Sequence, residues 1–473
     1  MKITDRTKTL LAQISKGQHM TRRNQLELVF WLSVPAIVAQ LSSIVMQYID
    51  ASMVGSLGAE ASASIGLVST TIWLLGGLCV ACSTGFSVQV AHKIGANDAQ
   101  GARSILRQAF TATLLFGLML GIIGLCISQQ LPVWLGGDAA IVGNATLYFA
   151  IFSLFLPMLE LNYVAGAMLR CSGNMHVPSM MGVAMCVLDV VFNFMLIFPT
   201  HHFNVGTWQL TLPGAGLGVM GAALGTVAAE SVVALVQTWY LCSRSSLLRI
   251  VGEQGTFRPQ LATLRRAFNI GMPMGVEHAV LCGAQIMVTI IVAPLGVCAI
   301  AANSFAITAE SLCYMPGYGI SEAATTLVGQ SIGAARKTLA RSFAYITVGL
   351  GIGVMALMGV LMYVFAPDII GFMTPVAEIK QMGAEALRIE AFAEPMFAAS
   401  IVAYGVFVGA ANTIVPCLMN VFSMWAVRLS LAAWLAPSMG LKGVWTAMCI
   451  ELCFRGIIFL IRLLKAKWIK DDE

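Results

Sequence analysis

The sequence predicts an all-α polytopic membrane protein with twelve transmembrane helices in two pseudo-symmetric six-helix lobes. Three observations carry that prediction. Of 473 residues, 58% are apolar and only 10% are charged, with a mean hydropathy of +0.83. The apolar residues gather into windows near the roughly 20 residues that a bilayer span needs. The chain also falls on itself when shifted by 238 residues. This composition excludes a soluble enzyme of two or three domains, a disordered chain and a secreted disulfide scaffold.

In chain order, residues 1–27 read as a basic, polar segment without the apolar core of a cleaved signal peptide. The spans then read 28–49, 61–85, 107–129, 146–167, 179–198 and 218–242. After a basic linker at 243–266, they read 267–292, 300–323, 343–365, 386–410, 414–435 and 442–464, and 465–473 forms a tail. The lobes are therefore 28–242 and 267–464. Lys and Arg set the topology, because cytoplasmic loops hold an excess of them. The N-terminal segment has 6, the loop after span two has Lys93, Arg103 and Arg107, and the loop after span four has Arg170. The linker has Arg244, Arg249, Arg258, Arg265 and Arg266, the loop after span eight has Arg336, Lys337 and Arg341, and the C-terminal segment has 4. These are 22 of the 27 basic residues, all on one side. Both termini are thus expected in the cytoplasm, in a multi-pass plasma (inner) membrane protein. The net charge of +5 is spread over short loops, which is no nucleic-acid signature. Ten of the 12 Cys sit in apolar runs, and Cys79-x-x-Cys82 has no second pair or His beside it, so all read as packing residues.

The repeat is specific. Pro35 meets Pro273, Gln47 meets Gln285, and Leu57-Gly58 meets Leu295-Gly296. Ile94-Gly95-Ala96 meets Ile332-Gly333-Ala334, and Val177-Pro178 meets Val415-Pro416. Six spans is an even number, so both copies enter the membrane in the same direction. Parallel repeats of this kind build transporters that carry their site between the halves.

Pro35-x14-Asp50-x2-Met53-Val54-Gly55, Gly329-Gln330-Ser331-Ile332-Gly333-Ala334 and Gly173-Asn174-x3-Pro178 together resemble the multidrug and toxic compound extrusion (MATE) transporters, over about residues 28–464. The resemblance implies cation-driven antiport of drug-like, often cationic molecules. The major facilitators, which also have twelve helices, usually carry a basic motif in the loop after span two. Here that loop reads Ala91-His92-Lys93-Ile94-Gly95-Ala96-Asn97-Asp98 and disfavours them.

A charge at the bilayer centre costs about 2.5–3.5 kcal/mol on insertion scales, so each needs a partner, a wet cavity or a function. Asp50, Glu160, Asp189, Glu230, Glu277, Glu310, Glu394, Arg428, Glu451 and Arg455 fall in or at the ends of spans, eight acids against two bases. Asp50 closes span one, and its repeat partner is Val288, so the two-fold relation does not explain it. In the family it resembles, the aspartate at this position couples the ion. Asp189 and Asn193 lie one helical turn apart and share a face, where the family commonly shows Asn-x-x-x-Asp or Asn-x-x-x-Asn. Their oxygens with Asp50 would suit Na⁺, and a desolvated carboxylate alone would serve H⁺. Glu277, Glu310 and Glu394 are expected to form a second-lobe carboxylate cluster. The acids of the NorM-like branch would fall at Leu281 and near Phe397, one turn from Glu277 and Glu394. Arg428 is open to neutralising one of these acids. Glu451 and Arg455 stand in i,i+4 register for a structural pair. Pro35 and Pro273 would bend the first helix of each lobe. The 27 Met and 23 Phe suit an adaptable binding surface, although any single one is better read as packing.

The chain therefore reads as no enzyme but a secondary exporter of cationic amphiphiles, driven by H⁺ or Na⁺. It needs no cofactor and no resident metal, binds no nucleic acid and works as a monomer in the bilayer. No nucleotide-binding motif is present and the loops are too short for a nucleotide domain. A lipid-linked precursor flippase is the alternative, disfavoured because those families typically have fourteen spans and a basic cavity. A channel or scaffold would have no use for acids that break the repeat.

Overall fold

A computed structural model describes residues 2–205, 208–465 and 468–469. Of the expected tail, only Lys465, Trp468 and Ile469 lie among the described residues. The first half comprises α1 (Lys2–Ser15), α2 (Arg22–Gly55), α3 (Ala59–Gly95), α4 (Ala99–Ile127), a single turn α5 (Leu131–Trp134), α6 (Ala139–Cys171), α7 (His176–Ile197) and α8 (Val219–Ser243). The second comprises α9 (Leu261–Val292), α10 (Val297–Gly333), α11 (Lys337–Met373), α12 (Ala377–Glu390), α13 (Glu394–Gly409), α14 (Ile414–Phe422), α15 (Ser430–Met439) and α16 (Leu441–Leu464).

Ten of these helical segments are long and apolar enough to cross a membrane, with α14 and α15 taken together, and the bent pair α12–α13 makes an eleventh. α16 lies where the sequence puts the twelfth span, and its 24 residues reach about 36 Å at 1.5 Å per residue, but it carries Lys442, Glu451, Arg455 and Arg462 and is not among the helices apolar enough to cross by composition. The helices overrun the apolar windows because polar caps and terminal turns extend past the hydrocarbon. Thus α3 runs on to Gly95, and Asp98 opens α4 by accepting from Gly101 N at 2.8 Å.

The 238-residue repeat is written into the helix ends. α3 stops at Gly95 and α10 at Gly333; α4 starts at Ala99 and α11 at Lys337; α6 stops at Cys171 and α13 at Gly409. Left-handed turn residues recur with the same offset, Gly58 with Gly296, Asn97 with Ala335 and Gly173 with Ala411. The halves meet along two long crossings, α2 on α10 and α3 on α9. Tyr48 Oη donates to Thr308 O at 2.6 Å across the first of these.

Four features depart from the expectations. Span ten is not continuous: α12 and α13 meet at 60° across residues 391–393. Pro395 sits in the first turn of α13, where its missing N–H is tolerated and its fixed φ favours a helix start. Span eleven carries a π-helical stretch, Ser423–Leu429. An antiparallel hairpin, β1 (Pro199–Val205) and β2 (Trp208–Ala215), joins α7 to α8. Finally, the N-terminal segment contains a docked helix, since Leu10 and Ile14 of α1 are buried and α1 packs on α2, α3 and α10. Pro35 and Pro273 lie inside helices that run unbroken.

Candidate functional site

The first half gathers its acids around one amide. α2 continues to Gly55, so Asp50 lies inside the helix rather than closing it, and it faces α7. Asp189 and Asn193 on α7 are buried, at 0% and 1% exposure. Asn193 Nδ2 donates to Asp50 Oδ1 at 2.9 Å and to Asp189 Oδ2 at 3.1 Å, with Thr226 Oγ1 of α8 at 3.5 Å. Thr226 was not visible as a site residue in the sequence. A Cβ on Gly225 would overlap Asn193 Oδ1, so α8 can approach this closely only with glycine there. Asp189 Oδ1 and Asn193 Oδ1 are buried without a hydrogen-bond donor among the described residues.

Two carboxylates that accept from one nitrogen stand no more than about 6 Å apart. At an effective dielectric constant near 20, two unit charges at that distance repel by about 3 kcal/mol or more. No Lys or Arg pairs with either acid among the described residues. The four oxygen-bearing side chains therefore form a pocket suited to a hard monovalent cation or a shared proton. Glu160 is a further buried acid of this half. Its Oε1 accepts from Ser83 Oγ at 3.0 Å, and the Cys79 thiol also lies against the carboxylate.

The second half separates what the sequence grouped. Glu277 on α9 is bound by Tyr404 Oη at 2.6 Å and Asn420 Nδ2 at 2.5 Å. It stands apart from Glu310 and Glu394, which instead join Glu390, with one oxygen of each lying within 4.8 Å of the others. Glu390 and Glu394 are fully buried and neither carboxylate has a hydrogen-bond donor among the described residues. Glu390 was overlooked in the sequence, although it lies inside the expected span 386–410 and four residues before Glu394. The break at 391–393 lets α12 end and α13 begin with carboxylates aimed at the same spot beside α10.

Arg428 forms no ion pair with those three acids among the described residues, although its charge lies near enough to act on Glu310 and Glu390. Its Nη2 lies 2.6 Å from Glu451 Oε2, and Arg455 Nη2 lies 2.6 Å from Oε1, so one buried acid is clamped by two guanidinia. The expected Glu451–Arg455 pair is thus present with a second arginine added. The π stretch brings Ser423 within 2.5 Å of Oε1 as well. All 12 cysteines are unpaired.

The MatE family model matches the chain twice, over residues 35–195 and 273–434, beginning at the two equivalent prolines. Over 443 residues the chain is 24% identical to the probable multidrug resistance protein NorM of Thermotoga maritima, covering 93% of this chain and 92% of that one. Over 470 residues it is 23% identical to the multidrug resistance protein PmpM of Pseudomonas aeruginosa, covering 97% and 95%. A crystal structure of MATE in complex with MaL6 shares the fold with a TM-score of 0.85 at 19% identity, covering 94% of this chain and 97% of that chain. With both halves matched and the fold shared, the chain belongs to the MatE family, the multidrug and toxic compound extrusion transporters, and is a transporter rather than an enzyme.

Proposed function

We propose that this transporter exports drug-like, cationic amphiphilic molecules by antiport against H⁺ or Na⁺, rocking its two lobes about a site between them. The carrying observation is the pair Asp50 and Asp189 bridged by the single amide of Asn193, with no basic partner among the described residues. In the outward-facing protein, an ion entering beside Asp50, Asp189, Asn193 and Thr226 removes a repulsion of about 3 kcal/mol or more. That loading favours substrate release. The inward-facing protein gives the ion up and rebinds a cationic substrate. An ion drives such a cycle only through unequal affinity for the two states.

Glu277, Glu310, Glu390 and Glu394 give the second lobe its own acidic stations, which suit cationic cargo or a second coupling ion. Asp50 and Asp189 in one half and Glu390 and Glu394 in the other, which form no ion pair among the described residues, favour this reading over a flippase for anionic lipid-linked precursors. Both termini lie in the cytoplasm of a plasma (inner) membrane monomer, in agreement with the one-sided Lys and Arg.

Ethidium transport in everted vesicles, driven separately by imposed H⁺ and Na⁺ gradients, tests the proposal. Wild-type protein should respond to one gradient. Asp50→Asn should lose that response while remaining folded and membrane-inserted. Unchanged transport by Asp50→Asn would remove Asp50 from the coupling role.

A further inference from the structure

The Ile-Gly-Ala turns of the repeat have no part in ion coupling, yet they sit where the lobes touch at the basic end of the molecule. A Cβ on Gly95 would overlap the carbonyl of Gln330, and a Cβ on Gly333 would overlap the carbonyl of His92. His92 and Gln330 are themselves equivalent, 238 residues apart. Each then reaches across to the other lobe. His92 Nε2 lies 2.8 Å from Gly409 O, and Gln330 Nε2 donates to Cys171 O at 2.8 Å. Gly409 and Cys171, the last residues of α13 and α6, are again 238 apart. Two glycine contacts and two side-chain hydrogen bonds thus form one reciprocal clasp.

The two arms differ in chemistry. Gln330 is 2% exposed and uses an amide. His92 is half-buried, and its Nδ1 faces Arg266 Nη2 at 3.0 Å. A carbonyl on one ring nitrogen and a guanidinium on the other require the neutral tautomer with hydrogen on Nε2. A glutamine amide has the same donor-plus-acceptor pair, so it can replace this imidazole without loss of either partner.

We propose that His92 and Gln330 are positioning residues for transport, holding the lobes closed on the cytoplasmic side while the ion site loads. Their clasp must open for substrate to enter from the cytoplasm. This inference rests on the alternating-access reading for its role, whereas the clasp itself is testable without transport.

The experiment is hydrogen–deuterium exchange of the purified protein in nanodiscs, followed over residues 88–98, 168–175, 326–336 and 405–413, beside ethidium transport in proteoliposomes. His92→Ala and Gln330→Ala should each raise exchange in all four segments by roughly fivefold, the worth of one hydrogen bond, and leave the other helices unchanged. His92→Gln should restore wild-type exchange and transport, a rescue that generic packing would not give. Exchange unchanged in both alanine variants, or His92→Gln indistinguishable from His92→Ala, would overturn the proposal. If instead the exchange pattern holds and wild-type protein moves no ethidium, the clasp stands and the transport reading fails.

Discussion

Glu451 gives the sharpest separation between a charge kept for structure and one kept for transport. Its carboxylate is fully buried and receives Arg428 and Arg455, whose side chains are 8% and 9% exposed. Glu451→Gln keeps the shape and the Ser423 contact but leaves two guanidinia facing one amide. Removing one partner of a buried pair costs about 3–5 kcal/mol, and here both arginines are stranded, so about 4 kcal/mol is a conservative expectation. Replacing the whole set, Arg428→Leu with Glu451→Leu and Arg455→Met, removes the stranded charges together and should lie within about 1 kcal/mol of wild type. Unfolding in mixed dodecyl maltoside and SDS micelles, followed by tryptophan fluorescence, measures both. The triple variant should also keep ethidium transport. A Glu451→Gln variant as stable as wild type, or a triple variant as unstable as Glu451→Gln, would refute the reasoning.

Gly225→Ala should lower the initial rate of gradient-driven ethidium transport by about tenfold, because the new methyl displaces the Asn193 amide that joins Asp50 to Asp189. A wild-type rate would show that the amide bridge is dispensable. Asp98→Ala removes the cap of α4 and should cost about 1 kcal/mol in the same unfolding assay, while Asp98→Asn, which keeps an acceptor for Gly101 N, should cost less. The Lys93 ammonium and Gly101 N–H hold the Asp98 carboxyl below its ordinary range. The cap is therefore complete at neutral pH and should weaken only as the pH falls through that lowered value, so the Asp98→Ala penalty should shrink in strongly acidic micelles.

Ten spans, and an eleventh in the bent pair, were legible because each is a long apolar run, and the repeat was legible because equivalent helices end at equivalent positions. What escaped detection depended on neighbours distant in sequence. Arg428 finds Glu451 from 23 residues away, and although Arg455 four residues on marks that acid as paired, nothing local shows that a second arginine joins it. The break in span ten lies in Ala391-Phe392-Ala393, which reads as unbroken apolar helix. Its only local signal is Glu394-Pro395, an acid and a proline of the kind that open a helix. Glu390 carried a readable signal, the four-residue spacing to Glu394, and was missed. The helix α1 was hidden because a short amphipathic stretch outside the membrane looks like any basic tail until Leu10 and Ile14 are seen buried. Asp189 and Asn193 were readable from their one-turn spacing, but Thr226 enters only because Gly225 lets α8 come close.

The broken span also says something about descent. Pro157 and Pro395 occupy the same place in the two copies, yet the first sits inside the unbroken α6 and the second starts α13. One ancestral proline thus serves as a tolerated interruption in one half and as the opening of a new helix in the other. The surrounding residues, Phe152–Leu156 against Glu390–Glu394, make the difference. The halves have therefore ceased to be interchangeable. A chain built from two first halves would inherit the matched turns, but it would have no hinge at which three carboxylates converge.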